Sequence, residues 1–188
     1  MKKWMMAVSM GIMWTGITAA PADSGPFQLS LLAPVQVVAP EHAVTGLRLN
    51  LVYGRNRTVT GLDLGLFNVT TGTFSGYGVG LLNHAGSEVY GIHEGLVNWS
   101  RKNVHGGQAG LLNVVGDHLG GGQFGLVNVA GSMEGLQLGV VNRSGDTSGV
   151  QLGLLNLSQH LRGMQLGLLN VVSDRPHFRA MPILNLGW

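Results

Sequence analysis

A Gly, an apolar residue, a variable position often occupied by Gln, an apolar residue, Gly, two apolar residues and Asn: this phrase recurs along almost the whole chain. It opens at Gly46, Gly61, Gly76, Gly91, Gly106, Gly121, Gly135, Gly149 and Gly163. The openings are 15 residues apart in the first half and 14 in the second. A short, nearly constant period of this kind marks a stacked or serially hairpinned repeat, in which each unit buries its surface only against its neighbours.

The columns of the repeat set the element type. With each opening Gly as position zero, position five is Leu51, Leu66, Leu81, Leu96, Leu111, Leu126, Val140, Leu154 and Leu168. Position three is Leu49, Leu64, Val79, Glu94, Ala109, Phe124, Leu138, Leu152 and Leu166. Positions one, three and five alternate with Gly or polar residues, which is the period of a strand. Two Gly in every eight residues exclude a regular helix, so the fold is all-β with positions three and five as core columns. The links are patterned too, with Val59, Phe74, Val89, Val104, Leu119, Met133 and Leu161 two places before the next opening Gly.

Two invariant columns carry structural roles. Position four is Gly65, Gly80, Gly95, Gly110, Gly125, Gly139, Gly153 and Gly167, with Asn50 in the first unit. Gly there permits a bend, a positive φ or the close approach of another backbone. Position seven is Asn68, Asn83, Asn98, Asn113, Asn128, Asn142, Asn156 and Asn170, with Tyr53 in the first unit. An amide donates and accepts at once, so stacked copies predict a hydrogen-bonded ladder.

Two architectures fit. A short β-solenoid of about nine 14–15-residue coils stacks like residues in columns at roughly 4.8 Å. The alternative is an antiparallel up-and-down outer-membrane β-barrel with one strand per repeat. Successive barrel strands face opposite ends and would diverge into a double-length period, which the repeats do not show. In favour of the barrel, Leu184, Leu186 and Trp188 alternate up to a terminal aromatic. The solenoid is the leading expectation, with 23–45 as an N-terminal cap strand and connector, 46–177 as tandem repeats and 178–188 as a C-terminal cap strand. Pro34 and Pro182 in the end units blunt edges that would otherwise pair with other chains.

The N-terminus bounds the compartment. Lys2 and Lys3 precede an uncharged stretch from Trp4 to Ala19 and then Ala20-Pro21-Ala22, the pattern of a signal peptide over 1–22. Cleavage there takes two of the eleven basic residues and none of the nine acids, leaving a formal net charge of zero. A neutral chain with 11% charged residues has no footprint for nucleic acid. The absence of Cys excludes disulfides, a lipid-modified Cys anchor and thiolate metal sites.

The phrases at 135–142, 149–156 and 163–170, Gly-Leu-Gln-Leu-Gly-Val-Val-Asn, Gly-Val-Gln-Leu-Gly-Leu-Leu-Asn and Gly-Met-Gln-Leu-Gly-Leu-Leu-Asn, resemble an exported surface-repeat family of diderm bacteria. The opening from Gly46 to Gly54 and the aromatic-ended tail are similar to that family's ends. The resemblance implies an exported protein at the cell surface, outer membrane or periplasm, and it brings no established activity.

The chain offers little for catalysis. It carries no nucleophile elbow, zinc-protease helix phrase or phosphate loop, so it reads as non-enzymatic, with no cofactor and no metal. His84, His93, His105 and His118 fall at different positions of their units and read as solvent-facing. The unit from Gly91 is the most irregular. There Glu94 replaces an apolar residue, and His93, Trp99, Arg101, Lys102 and His105 surround it, which marks these six as a candidate binding patch. The expected function is a structural or surface-interaction protein whose flat rows of Gln and Asn contact a surface, glycan or protein partner. The alternative is a membrane barrel with a structural or pore role.

Overall fold

A computed structural model describes residues 24–188; the signal-peptide reading at 1–22 lies outside them. The elements are all strands: β1 (Ser24–Leu32), β2 (Val35–Gln36), β3 (Ala43–Asn56), β4 (Thr58–Thr70), β5 (Phe74–Ala85), β6 (Val89–Ser100), β7 (Val104–Leu152), β8 (Leu155–Ser158), β9 (His160–Val172) and β10 (Ala180–Gly187). β7 is continuous over 49 residues because the links of the later coils stay extended.

Each coil stacks in parallel on the one before. Gly46 pairs with Gly61, Gly61 with Gly76, Gly76 with Gly91 and Gly91 with Gly106, so the sequence period becomes the pairing register. Parallel pairing of consecutive strands with no helical crossover is a solenoid, and the antiparallel barrel is ruled out. One irregularity marks the first coil: Asn50 faces Gly65 but Tyr53 faces Phe67, a one-residue bulge.

The opening glycines hold φ between 123° and 141°, a region that L side chains rarely adopt. A methyl group at any of them would also strike the carbonyl of the glycine, or at Gly46 of Pro26, one coil back. The glycines at position four do a different job. Their space is filled by the carbonyl of the preceding coil's position four and by the Asn amides of position seven.

The interior reverses the expected polarity. The Leu columns at positions three and five are not core: Leu111 is 51% exposed and Leu126 52%. The inward columns are position minus two (Val44, Val59, Phe74, Val89, Val104, Leu119, Met133), position two, position four, position seven and position nine. The main apolar cluster therefore runs from Val44 through Met133 against Ala85, Val115 and Ala130, and Leu161 and Val172 are buried beyond it. Gln and Asn fill the rest of a thin cross-section, so the rows expected on flat outer faces are inside. Alternation explains this. Positions minus two, zero, two and four share one face of a strand, and positions one, three and five share the other.

The buried amides are satisfied along the solenoid axis. Asn98 Nδ2 donates to Asn113 Oδ1 at 2.9 Å and to the Ala109 carbonyl at 2.9 Å, and the same pair of bonds recurs from Asn68 to Asn156. The Gln ladder of position two runs the other way. Gln123 donates back to Gln108 at 2.9 Å, Gln137 to Gln123 at 2.8 Å, and Gln151 and Gln165 follow at 2.7 Å. Two amide chains of opposed direction leave their dipoles opposed, and Gln108, Gln123, Gln137 and Gln151 also reach across the coil, as Gln123 does to the Val129 carbonyl at 3.2 Å. A buried amide is stabilising only when its donors and acceptors are filled, and both ladders meet that condition.

The ends close the ladders. β10 lies antiparallel on β9, and there Asn185 donates to Gln165 Oε1 at 3.2 Å while Asn170 donates to the Met181 carbonyl at 3.2 Å. At the other end β1 stacks in parallel on β3, with Gln28 in register with Arg48, and β2 folds back on β1. Asn50 Oδ1 is buried with no donor among the described residues, because it begins a chain whose donors all point onward.

Candidate functional site

Position two changes chemistry along its length. Arg48 and Asp63 occupy it in the first two coils, Gly78 and His93 in the next two, and Gln from Gln108 onward. Arg48 Nε donates to Asp63 Oδ1 at 2.7 Å and Nη2 to Oδ2 at 2.5 Å, both side chains being buried. Asn50 donates to the same carboxylate at 3.1 Å, and the Val69 carbonyl accepts from Arg48 at 3.0 Å. The space left by Gly78 is taken by the Phe74 and His93 rings, whose centroids lie 4.4 Å apart.

His93 belongs to this interior, which corrects the solvent-facing reading. Burial lowers its pKa to about 3, and the Arg48 and His84 charges act in the same direction. The ring is therefore neutral at physiological pH and cannot serve an outer binding patch.

The other five residues of that patch lie at three outer places. Glu94, at position three, accepts a hydrogen bond from the Tyr77 hydroxyl, and this bond is the first cause that raises the Tyr77 pKa. Trp99, at position eight, packs on His84 with ring centroids 5.1 Å apart, and His84 Nδ1 lies 3.2 Å from the Trp99 carbonyl. Burial lowers the His84 pKa, and the Arg101 charge adds to the effect. Arg101 and Lys102 are exposed beside them. His105 stacks on Tyr90 at the link, 5.0 Å between centroids, and sits 3.7 Å from Glu88. The structure groups Trp99, Arg101 and Lys102 and separates them from Glu94 and His105.

The outer surface is sharply divided. At the turn between positions five and six the alternation breaks and both side chains point outward, which makes a convex ridge. Columns three, five and six run along it, and in the coils from Gly61 onward Glu94 is their one ionisable side chain. Leu66, Leu81, Leu96, Leu111, Leu126 and Leu154 are between 42% and 53% exposed. On the adjoining arm, positions eight and ten hold His84, Arg101 and Arg143 and no acid, and the first-coil bulge brings Arg55 into register with position eight.

The acids gather on the opposite edge, in the links. Asp146, His160 and Asp174 form a column across three coils, with His160 Nδ1 2.6 Å from Asp146 and Nε2 3.0 Å from Asp174. His118 Nδ1 lies 3.0 Å from Ser132 Oγ in the same column. A groove of about 840 Å³ runs beside it, ending at Leu186 and Trp188. Asp146, His160 and Asp174 all stand at position eleven of their units. Sequence reasoning missed the column because it compared only His84, His93, His105 and His118, which do not share a position. Among the described residues, no group of three or more His, Asp or Glu is arranged to hold a metal ion.

These features define the class as a β-solenoid with amide ladders inside and apolar columns outside. No protein-family model, curated protein or solved structure matches the chain.

Proposed function

We propose that this is an exported, non-enzymatic structural or surface-interaction protein of a diderm bacterium that works by contact along its apolar ridge. The observation that carries the reading is the reversed polarity, a solenoid with Gln and Asn inside and a continuous file of half-exposed Leu outside. Nine coils at about 4.8 Å give a ridge roughly 40 Å long, and three columns make it about 10 Å wide, on the order of 400 Å². Exposed apolar patches of that size on single chains are often contact sites. The leader over 1–22 and the resemblance to exported surface repeats support export, and the ridge supports association with the outer membrane or another apolar surface.

Fractionation tests the reading. The chain, expressed with its own leader in a diderm host, is expected in the periplasmic, outer-membrane or surface fraction. Recovery in the cytoplasm of a host with working export would reject it.

A further inference from the structure

We infer that the ridge and its adjoining arm form a docking surface for a lipid membrane bearing anionic headgroups. This rests on the surface-interaction reading and names its partner. Three observations converge.

The first is backbone satisfaction. A surface that meets acyl chains must present no unpaired N–H or C=O. In this solenoid each inner coil bonds to the coil before and the coil after along both arms. At the turn, where the pairing register lapses, Leu154 N–H donates to the Val140 carbonyl at 3.0 Å and Leu169 N–H to the Leu154 carbonyl at 2.9 Å. The Asn ladder takes up the position-three carbonyls, as Asn113 does for Phe124 at 3.0 Å. The outward side chains there are Leu, Val and Phe with Ala109 and a single carboxylate, Glu94, which accepts from the Tyr77 hydroxyl, and the amides of the ladders point inward.

The second is shape. The ridge is raised where two successive residues face outward at the turn, and it dips between columns three and five at Val79, Glu94 and Ala109. A second copy of the same ridge is no complement to that relief. A fluid acyl layer conforms to the whole ridge.

The third is charge. The arm that adjoins the ridge carries Arg55, Arg101 and Arg143, all exposed, while Asp146 and Asp174 lie on the far edge. Lys102 belongs to the link, where Asp117 of the next coil stacks on it. Cations beside an apolar ridge match anionic headgroups above acyl chains. Trp99 lies between them, 47% exposed, at the level where an aromatic ring with one polar edge is favoured.

The test uses residues 24–188, which hold both caps and every coil, with Trp188→Phe so that Trp99 alone reports. Vesicles of phosphatidylglycerol and phosphatidylcholine are titrated in, and flotation is measured in parallel. The expected result is co-flotation and a blue shift of Trp99 emission, both weakened by salt. Leu111→Glu with Leu126→Glu is expected to weaken binding at least tenfold, with an unchanged circular dichroism spectrum. Arg101→Glu with Arg143→Glu is expected to remove the preference for phosphatidylglycerol. Should the Glu pair disturb folding, Leu111→Ser with Leu126→Ser replaces it and a threefold loss is expected.

No flotation with anionic vesicles, or flotation that the folded ridge variants leave within twofold, overturns the inference. So does a lipid-free dimer that the ridge variants dissolve, since a second copy would then be the occupant. These outcomes leave the export reading to stand or fall on fractionation.

Discussion

Arg48 and Asp63 form a two-pronged ion pair that is buried one coil from the N-terminal cap, at 2.7 and 2.5 Å. They occupy the column that later coils fill with Gln. Breaking a buried pair from one side leaves a charge without its partner, at a cost of roughly 3–5 kcal/mol, whereas replacing both is often neutral. Asp63→Gln alone is therefore expected to lower the thermal midpoint strongly. Arg48→Gln with Asp63→Gln is expected to recover most of the loss by extending the amide column. Calorimetry on both variants checks this, and additive losses would show that the pair does not act as a unit.

His93 makes the fold acid-sensitive. Its folded pKa of about 3 lies below the ordinary 6.5, so the unfolded chain binds the proton first. The His93 contribution is fully present above pH 6.5 and is lost as pH falls through the window from 6.5 to 3, at up to about 1.4 kcal/mol per pH unit. The buried charges facing it are Arg48 and, beyond it, Asp63. His93→Gln is expected to flatten that slope in urea titrations between pH 4 and 7. An unchanged slope would place the acid sensitivity elsewhere.

Reversed polarity makes an opposite pair of predictions for neighbours in sequence. Leu126→Ser, at an exposed column, is expected to change stability by about 0.5 kcal/mol or less. Asn128→Leu is expected to lower it by about 1–3 kcal/mol, because the Asn113 and Asn142 amides and the Leu138 carbonyl lose partners. For a chain of this size that is roughly 3–10 °C in thermal midpoint. A larger loss from Leu126→Ser than from Asn128→Leu would contradict the interior described above.

Two glycines should fail for different reasons. Gly121→Ala puts a side chain at φ +138° and against the Gly106 carbonyl. Gly125→Val, at ordinary φ, drives its side chain into the Gly110 carbonyl and the Asn113 amide. Overpacking and strain of this kind cost about 1–3 kcal/mol or more each. Asn113→Ala in the Gly125→Val background is expected to relieve part of the second defect and none of the first, which thermal melts of the double variants would show.

The sequence by itself determined the repeat and its strand character, because these follow from period and residue type. The lack of a double-length period favoured parallel stacking with an Asn ladder over the antiparallel barrel, which the tertiary structure then excluded. Asn68 through Asn170 recur at one place per coil, and only stacking gives such a column bonding partners. The sequence also held two apolar sets of opposite parity, Val59, Phe74 and Val89 in the links and Leu66, Leu81 and Leu96 in the phrase. A continuous strand cannot turn both inward. Hydrophobicity favours the larger Leu set, and that choice was wrong. The tertiary structure decided it through volume: the parity that includes Gly at positions zero and four leaves room for two backbones to approach and for Gln and Asn to bond along the axis. Leu on the inward face would have filled that thin interior and broken the ladders. The place of His93 followed the same parity, whereas the column of Asp146, His160 and Asp174 stands at position eleven of three successive units and was legible in the sequence; the structure added that His160 bridges the two carboxylates.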